Sequence, residues 1–182
     1  MSIIAIVSSP QKGANTDFVV NTIAKSAEEN GKEVKVFNIN PMADRKGCQG
    51  CDGCKRNGGT CVVKDDLTPV LEAIKGAEGL IISAPVYFGE ACAQYRLLED
   101  RMYGFLKADF SASFDAGKKV AAVVAAGSAG ADELADKMLN VMKGFFKMEP
   151  IGKIAMTTGN DRKYAEKNAD VIAQAKELGK KF

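Results

Sequence analysis

The amino-terminal segment, residues 2–24, reads SIIAIVSSPQKGANTDFVVNTIA. Its apolar run 3–7 is too short for a helix and rich in β-branched residues, which predicts a buried parallel strand. A polar turn follows, and Val19, Val20 and Ile23 then recur at the spacing of one helical face. The segment therefore predicts a strand, a turn and a helix in succession, the unit from which the rest of the chain is built.

This unit recurs along the chain. Helical patterns separate four further apolar runs, at 34–39, 80–84, 120–126 and 151–156. Alternating strands and helices predict an α/β fold whose parallel sheet is covered on both faces by right-handed crossovers. Five such units predict a flavodoxin-like, doubly wound sheet in the order 2-1-3-4-5. Ligands of such sheets bind beyond the carboxyl ends of the strands, at the switch point between strands one and three.

Composition narrows the class of protein. The chain has 182 residues, 46% of them hydrophobic, so we expect one domain spanning residues 1–182. The formal net charge of +2 gives no argument for binding nucleic acid or a membrane surface. No segment reaches about 18 apolar residues and no basic region precedes the first apolar run, so we expect a cytoplasmic protein. In that reducing compartment, clustered cysteines indicate metal binding or redox chemistry.

The loop after the second strand, residues 44–64, carries four cysteines in the order C-x2-C-x2-C-x6-C: Cys48, Cys51, Cys54 and Cys61. Runs of this kind hold iron–sulfur clusters in ferredoxins, and the chain has no His to complete a mixed zinc site. An iron–sulfur cluster is the favoured interpretation. A zinc site and a redox disulfide are the alternatives. Because strand two ends at the ligand-binding edge, we expect this loop on the same edge as any cofactor.

The loop after strand one, residues 8–16, is rich in hydroxyl groups and opens a helix, whose free N–H groups favour an anion. It contains neither of the glycine-rich nucleotide fingerprints, so a phosphate monoester is the ligand that fits. Ser9, Asn15 and Thr16 can donate hydrogen bonds to it, and Lys12 can contribute charge. The alternative is a helix capped by Asn15 or Thr16 without any ligand.

Two further loops at the same edge favour a flat cofactor. After strand three come Pro85, Val86, Tyr87, Phe88 and Gly89. After strand four come the small residues 126–130, including Gly127, Ser128 and Gly130, which allow a planar ring to lie against the backbone. Core aromatic residues in the first loop and a plain turn in the second are the alternatives.

Together these segments resemble the NAD(P)H-dependent FMN reductase and multimeric flavodoxin superfamily, and more closely its iron–sulfur flavoprotein branch. The motifs that carry the resemblance are the Ser-Pro-x-Lys-x-x-Asn-Thr loop at 9–16, the cysteine run ending in 64–67, Ser83–Phe88, and Asp100-Arg101. The resemblance implies FMN, with its phosphate near Ser9, Lys12, Asn15 and Thr16 and its ring against 85–89 and 127–130. Gln11 stands where the family commonly has Arg. The resemblance also implies a [4Fe–4S] cluster on the four cysteines, and a homodimer or homotetramer.

The predicted function is electron transfer from a one-electron, ferredoxin-like donor through the cluster to FMN, and on to a quinone, oxygen or peroxide. One alternative is a cluster-free NAD(P)H-dependent reductase of FMN, quinones or azo compounds. Another is a binding module stabilised by zinc on the four thiolates. The sequence identifies no catalytic general base. The loop cations Arg45, Lys46, Lys55, Arg56 and Lys64 suggest a docking face for an acidic donor.

Some conspicuous residues are expected to be structural. Cys92 is predicted to be a small buried thiol, and Asp100 and Arg101 are expected to cap or pair locally. Four large side chains recur at helical spacing and are expected in the core or at a subunit contact: Met138, Met142, Phe145 and Phe146.

Overall fold

A parallel sheet forms the centre of the molecule, in a computed structural model that describes residues 2–182. The strands are β1 (Ser2–Val7), β2 (Glu33–Asn38), β3 (Gly79–Tyr87), β4 (Glu90–Ala91), β5 (Lys119–Ala126) and β6 (Glu149–Thr157). Five of them are parallel, in the order β2-β1-β3-β5-β6. The predicted flavodoxin-like order is therefore confirmed, with β5 and β6 as the predicted fourth and fifth strands.

Helices cover both faces of the sheet. They are α1 (Asn15–Glu29), α2 (Gly53–Arg56), α3 (Thr68–Gly76), α4 (Ala93–Arg101), α5 (Ala131–Phe146), α6 (Tyr164–Lys167) and α7 (Ala169–Gly179), with a 3₁₀ turn at Met102–Phe105. β1 shows how the layers arise, because its side chains alternate between the faces. Ile3 and Val7 pack with α1 and α7, whereas Ile4 and Ile6 pack with α3, α4 and α5.

A short hairpin that the sequence analysis did not predict extends β3. β4 runs antiparallel to the end of β3, with Val86 opposite Ala91 and Tyr87 opposite Glu90. The two residues between them, Phe88 and Gly89, have φ angles of +53° and +80°. Two left-handed residues form the tight turn whose twist matches a hairpin. The hairpin therefore projects the Phe88 ring into solvent beyond the carboxyl edge of the sheet.

Within residues 2–182, no helix has the length and apolar composition needed to cross a membrane.

Candidate functional site

A cavity of about 330 Å³ opens at the carboxyl edge of the sheet, where the sequence predicts a ligand. Its volume is in the range of small-molecule sites. The loops after β1, β3, β5 and β6 form its walls. The predicted residues that line it are Ser9, Gln11, Asn15, Thr16, Pro85, Val86, Tyr87 and Gly127. The fold thus brings together residues from three loops that are far apart in the sequence.

The other predicted residues lie outside the lining of this cavity. Lys12 is exposed on the loop after β1, and Phe88 and Gly89 form the hairpin turn. Ser128 and Gly130 follow β5, and Gly130 has a φ of +103° at the N-cap of α5. Lys12, Phe88 and Ser128 each directly follow a lining residue in the chain, whereas Gly89 and Gly130 do not.

The amino-terminal end of α1 is built to receive an anion. Its N-cap is Ala14, whose side chain cannot cap the helix, so the alternative of a helix capped by Asn15 or Thr16 does not hold. The first backbone hydrogen bond of the helix runs from Phe18 N to Ala14 O, which leaves the amides before Phe18 without helical acceptors. Thr16 is only 2% exposed and lines the cavity. Backbone N–H groups without helical acceptors, at a helix terminus whose N-cap side chain makes no hydrogen bond, favour an anionic ligand.

Asn15 has a structural task beside this terminus. Its Nδ2 donates to Asp161 O at 2.7 Å, and its Oδ1 accepts from Ala165 N at 2.9 Å. Lys163 Nζ adds a contact to Gly13 O at 3.2 Å. These bonds fix the loop after β6 against the start of α1. One N–H of the Asn15 carboxamide therefore remains for the predicted hydrogen bond to a phosphate.

The loop after β6 supplies residues that the sequence analysis missed: Thr158, Asn160, Asp161 and Arg162 all line the cavity. Asn160 lies so close to the end of β5 that a Cβ at Gly127 would be 2.2 Å from its Oδ1. The exposed Arg162 is the cation in this wall, on the side where Gln11 replaces the family's Arg. The polar run Thr157–Asn160, directly after an apolar strand, was the signal available in the sequence.

The four cysteines occupy different environments. Cys48 and Cys51 are exposed, Cys54 is buried, and Cys61 is half-buried. Among residues 2–182, no three Cys, Asp or Glu side chains are gathered closely enough to hold a metal ion. The predicted ligand set is present in one loop, with two thiols packed on the protein and two in solvent.

The cysteine loop leaves the sheet at the expected edge but does not stay there. Asn40 Nδ2 donates to Pro10 O at 3.5 Å, beside the loop after β1. Cys54 and Cys61 instead lie against the 3₁₀ turn, where a Cβ at Gly104 would be 3.1 Å from Cys61 Cβ. The nine residues of α4 separate that turn from the hairpin, a rise of about 13 Å along the helix. These two cysteines are therefore one helix length from the cavity edge.

One buried ion pair holds the two ends of the cysteine loop together. The guanidinium of Arg101 donates from Nη1 to Asp65 Oδ2 at 2.5 Å and to Lys46 O at 3.0 Å. Its Nη2 donates to Val63 O at 3.0 Å. Both members of the pair are buried, with 1% and 0% of their side chains exposed. The expectation that Arg101 pairs locally is wrong, since its partner lies 36 residues away.

The charges of this pair stabilise each other. Burial by itself raises the pKa of Asp65, but hydrogen bonds from Arg101 and the Lys46 amide outweigh it, so the pKa lies below its usual value. Burial likewise opposes the charge on Arg101, but Asp65 and the Cys61 sulfur together raise the pKa of Arg101 above its usual value. Both groups are therefore charged at neutral pH.

The model of the family described as NADPH-dependent FMN reductase matches residues 1–163. The chain belongs to this family. It is a family of flavin-dependent oxidoreductases, so flavin-dependent electron transfer is the class of chemistry and FMN the cofactor that membership supports.

Relatives named iron–sulfur flavoprotein are similar in sequence. One from Archaeoglobus fulgidus is 35% identical over 134 residues, which is 73% of this chain and 66% of the relative. One from Methanocaldococcus jannaschii is 36% identical over 103 residues, which is 56% of this chain and 51% of the relative. The matches span about half to two thirds of the length of these relatives.

Solved structures share the fold. An NAD(P)H:quinone oxidoreductase from Methanothermobacter marburgensis superposes with a TM-score of 0.68 at 18% identity, over 99% of this chain and 98% of that chain. A flavodoxin from the domain Archaea superposes with a TM-score of 0.61 at 16% identity, over 99% of this chain and 94% of that chain. At these identities the likeness shows the flavodoxin-like fold.

Two of the predicted docking cations are engaged within the protein. Lys55 Nζ donates to Leu106 O at 2.7 Å and lies 3.7 Å from the centre of the Tyr103 ring. Arg45 donates to Ile39 O at 2.5 Å. Lys46 pairs with Asp44, and Lys64 with Glu72, at the surface. The exposed charge that this family member can offer to a partner is therefore smaller than the sequence suggests.

The prediction that Cys92 is a buried thiol agrees with the structure. The residue is 1% exposed, and its sulfur lies 3.4 Å from the hydroxyl of Ser8. Ser83 Oγ donates to Ile6 O at 2.8 Å in the same group of buried polar atoms. Of the large side chains on α5, Met138, Met142 and Phe146 are buried as expected, whereas Phe145 is 60% exposed.

Proposed function

We propose that this chain is an iron–sulfur flavoprotein, which binds FMN in the cavity and a [4Fe–4S] cluster on Cys48, Cys51, Cys54 and Cys61. The observation that carries the FMN site is the amino-terminal end of α1, whose N-cap side chain makes no hydrogen bond and whose Thr16 lines the cavity. A phosphate fits these donors because it accepts several hydrogen bonds and is stabilised by the positive end of the helix dipole.

The ring would lie across the other walls of the cavity. Pro85, Val86, Tyr87 and Gly127 line the cavity and are the proposed contacts of the ring. Lys12, Phe88, Gly89, Ser128 and Gly130 remain proposed contacts at the border. Arg162 would supply the cation that Gln11 does not. These groups bind and orient the cofactor and limit the access of water to it.

The cysteine loop fits a cluster by the chemistry of its donors and of its surroundings. Four thiols and no imidazole form the donor set that iron–sulfur clusters prefer. The buried cation Arg101 lies beside Cys61 and offsets negative charge there. When bound, a cluster exchanges one electron at a time and FMN one or two, which suits a one-electron donor and a two-electron acceptor. The protein's part is to hold the ligands and control solvent access.

For partners, we propose a ferredoxin-like protein or NAD(P)H as donor and a quinone, oxygen or a peroxide as acceptor. No side chain in the cavity is assigned as a general base, because hydride or electron transfer to a flavin needs none from the protein. We further propose a homodimer or homotetramer. The fully exposed Phe88 ring, beside the cavity, supports an additional contact at this edge.

A cluster-free NAD(P)H-dependent reductase is the second candidate, favoured by the observation that the four thiols are not gathered within residues 2–182. Anaerobic purification followed by analysis of iron, sulfide, zinc and FMN separates the candidates. Iron, sulfide and FMN together, with bleaching by reduced ferredoxin, support the proposal. FMN alone, reduced by NAD(P)H, supports the second candidate. Zinc without flavin contradicts both.

A further inference from the structure

One buried donor beside the cysteine loop has no partner among residues 2–182. Arg101 has lost nearly all its solvent exposure, and its two terminal nitrogens bond to Asp65, Lys46 and Val63. Its Nε, by contrast, is the buried side-chain nitrogen without a hydrogen-bond acceptor among residues 2–182. A buried N–H left unpaired is unfavourable by about 1–3 kcal/mol, so its retention calls for an acceptor.

Cys61 is the sulfur-bearing residue closest to hand, since it lines the same small cavity as Arg101. This cavity, of about 20 Å³, lies between α3 and the 3₁₀ turn. Its Cβ lies against Gly104, where a side chain larger than hydrogen would press on it. The sulfur is also close enough to raise the pKa of Arg101. Neutral thiols are weak acceptors, whereas a thiolate bound to a metal is a stronger one.

We propose that Arg101 is the positioning residue of the cluster: it holds the two ends of the cysteine loop together and keeps its free Nε–H available for the sulfur of Cys61 when that sulfur is a ligand. The proposal rests on the proposed function, in which Cys61 is a ligand. Arg101 bonds to Lys46, which precedes the cysteines in the chain, and to Val63 and Asp65, which follow them. The same guanidinium then stabilises negative charge on the sulfur.

This second role affects the reduction potential. Hydrogen bonds to cluster sulfurs help to set that potential, and they stabilise the reduced form because it carries one more negative charge. Loss of the Nε–H therefore shifts the potential to a more negative value. A residue that only holds the loop together would change the amount of cluster bound but not its potential.

The test compares Arg101→Lys with Arg96→Lys. Lysine keeps the positive charge but lacks the Nε–H and the planar fork. Arg96 lies on the same helix, pairs with Glu99 and Asp100 at the surface, and serves as the matched control. Cluster potentials are measured by spectroelectrochemistry at equal iron content. We expect a more negative potential in Arg101→Lys and an unchanged one in Arg96→Lys.

A second readout uses metal-free protein and Co²⁺ as the probe. Changes to groups that hydrogen-bond to metal ligands typically weaken metal affinity by about 10–100-fold. We expect a loss of at least roughly tenfold in Arg101→Lys and none in Arg96→Lys. FMN affinity depends on a cavity that contains neither Arg101 nor Arg96, so it is expected to be equal in all variants and shows that the fold is intact.

Should Arg101→Lys fail to fold, Arg101→Gln combined with Asp65→Asn removes both charges of the buried pair and leaves none unpaired. We again expect a more negative cluster potential and a weaker affinity for Co²⁺. A cluster with unchanged potential and unchanged Co²⁺ affinity in these variants overturns the role of Arg101 while the proposed function stands. A wild-type protein that takes up no iron and sulfide overturns the proposed function, and the assignment of Cys61 as a ligand with it.

Discussion

The cavity at the carboxyl edge and the cysteine loop differ in how far the protein builds them on its own. The cavity walls are strand ends and a helix terminus, and Asn15 fixes the loop after β6 against them. The cysteine loop is held at its two ends by Arg101 and at α2 by Lys55, while Cys48 and Cys51 are exposed. The polypeptide alone forms the walls of the cavity, whereas only two of the four thiols in the cysteine loop are packed against the protein.

The difference follows from what orders each segment. Strand ends are fixed by hydrogen bonds along the whole sheet, so their loops need little further support. Between β2 and α3 the one regular element is the four-residue α2. Several residues there have left-handed backbone: Gly50, Asp52, Gly58 and Gly59. We infer that metal binding supplies the remaining order in this loop, as ligand binding and folding are coupled at metal sites.

The largest expected effect is loss of the cluster from Cys51→Ser. Removal of one ligand from a four-thiolate site should abolish or convert the cluster, and FMN binding should be unchanged, because the cavity shares no residue with the loop. Iron, sulfide and FMN content give the answer. Cys92→Ser is the matched control; if it removes iron as effectively as Cys51→Ser, the ligand set is wrong.

The next effect concerns the cavity. Ser9→Ala with Thr16→Ala removes two hydroxyl donors, and bonds to a charged group contribute about 1.5–3 kcal/mol each. We expect FMN to bind with a dissociation constant raised by roughly 30-fold or more, a change of about 2 kcal/mol, with iron content unchanged. Fluorescence titration measures it. Thr22→Ala, which removes a hydroxyl bonded to Phe18 O on the same helix, should leave FMN affinity as it is.

A smaller effect is expected from Asn15→Ala. The change breaks one hydrogen bond from α1 to the loop after β6 and one to α6, and it leaves the buried Ala165 amide unpaired. The free energy of unfolding should fall by about 1–3 kcal/mol. FMN affinity should also fall, since Arg162 is no longer held at the cavity. Urea titration with and without FMN measures both, and Asn21→Ala, an exposed residue on the same helix, is the control.

The smallest effect is a pH dependence in the metal-free protein. Because the folded state lowers the pKa of Asp65, this carboxylate stabilises the fold above its unfolded pKa of about 3.9 and loses that contribution as pH falls through and below it. The free energy of unfolding should be flat near neutrality and decline below about pH 4. Asp65→Asn should be less stable at pH 7 and show a shallower decline. An equal decline in both proteins would show that Asp65 does not contribute.

Local patterns predicted the sheet, the cavity edge and the buried state of Cys92, because each depends on periodicity or on strand ends. The Arg101–Asp65 pair was not predictable, since 36 residues separate its members and no local pattern joins them. Lys55 was predicted to be a surface charge because no local pattern in the sequence indicates its contact with the distant Tyr103 ring. The loop after β6 was missed although the same rule of strand ends applied to it. The short strand β4 could not be predicted because its two residues are too few to show the alternation of apolar and polar side chains that indicates a strand.

We predict that the cavity at the carboxyl edge binds FMN without any contribution from the cysteine loop. The most direct test is the dissociation constant of FMN measured on metal-free protein and on the same protein after anaerobic reconstitution with iron and sulfide. We expect one value for both states, because no residue of the cavity lies in the loop. Binding of FMN only after reconstitution, or a much weaker affinity in the metal-free protein, would contradict the account.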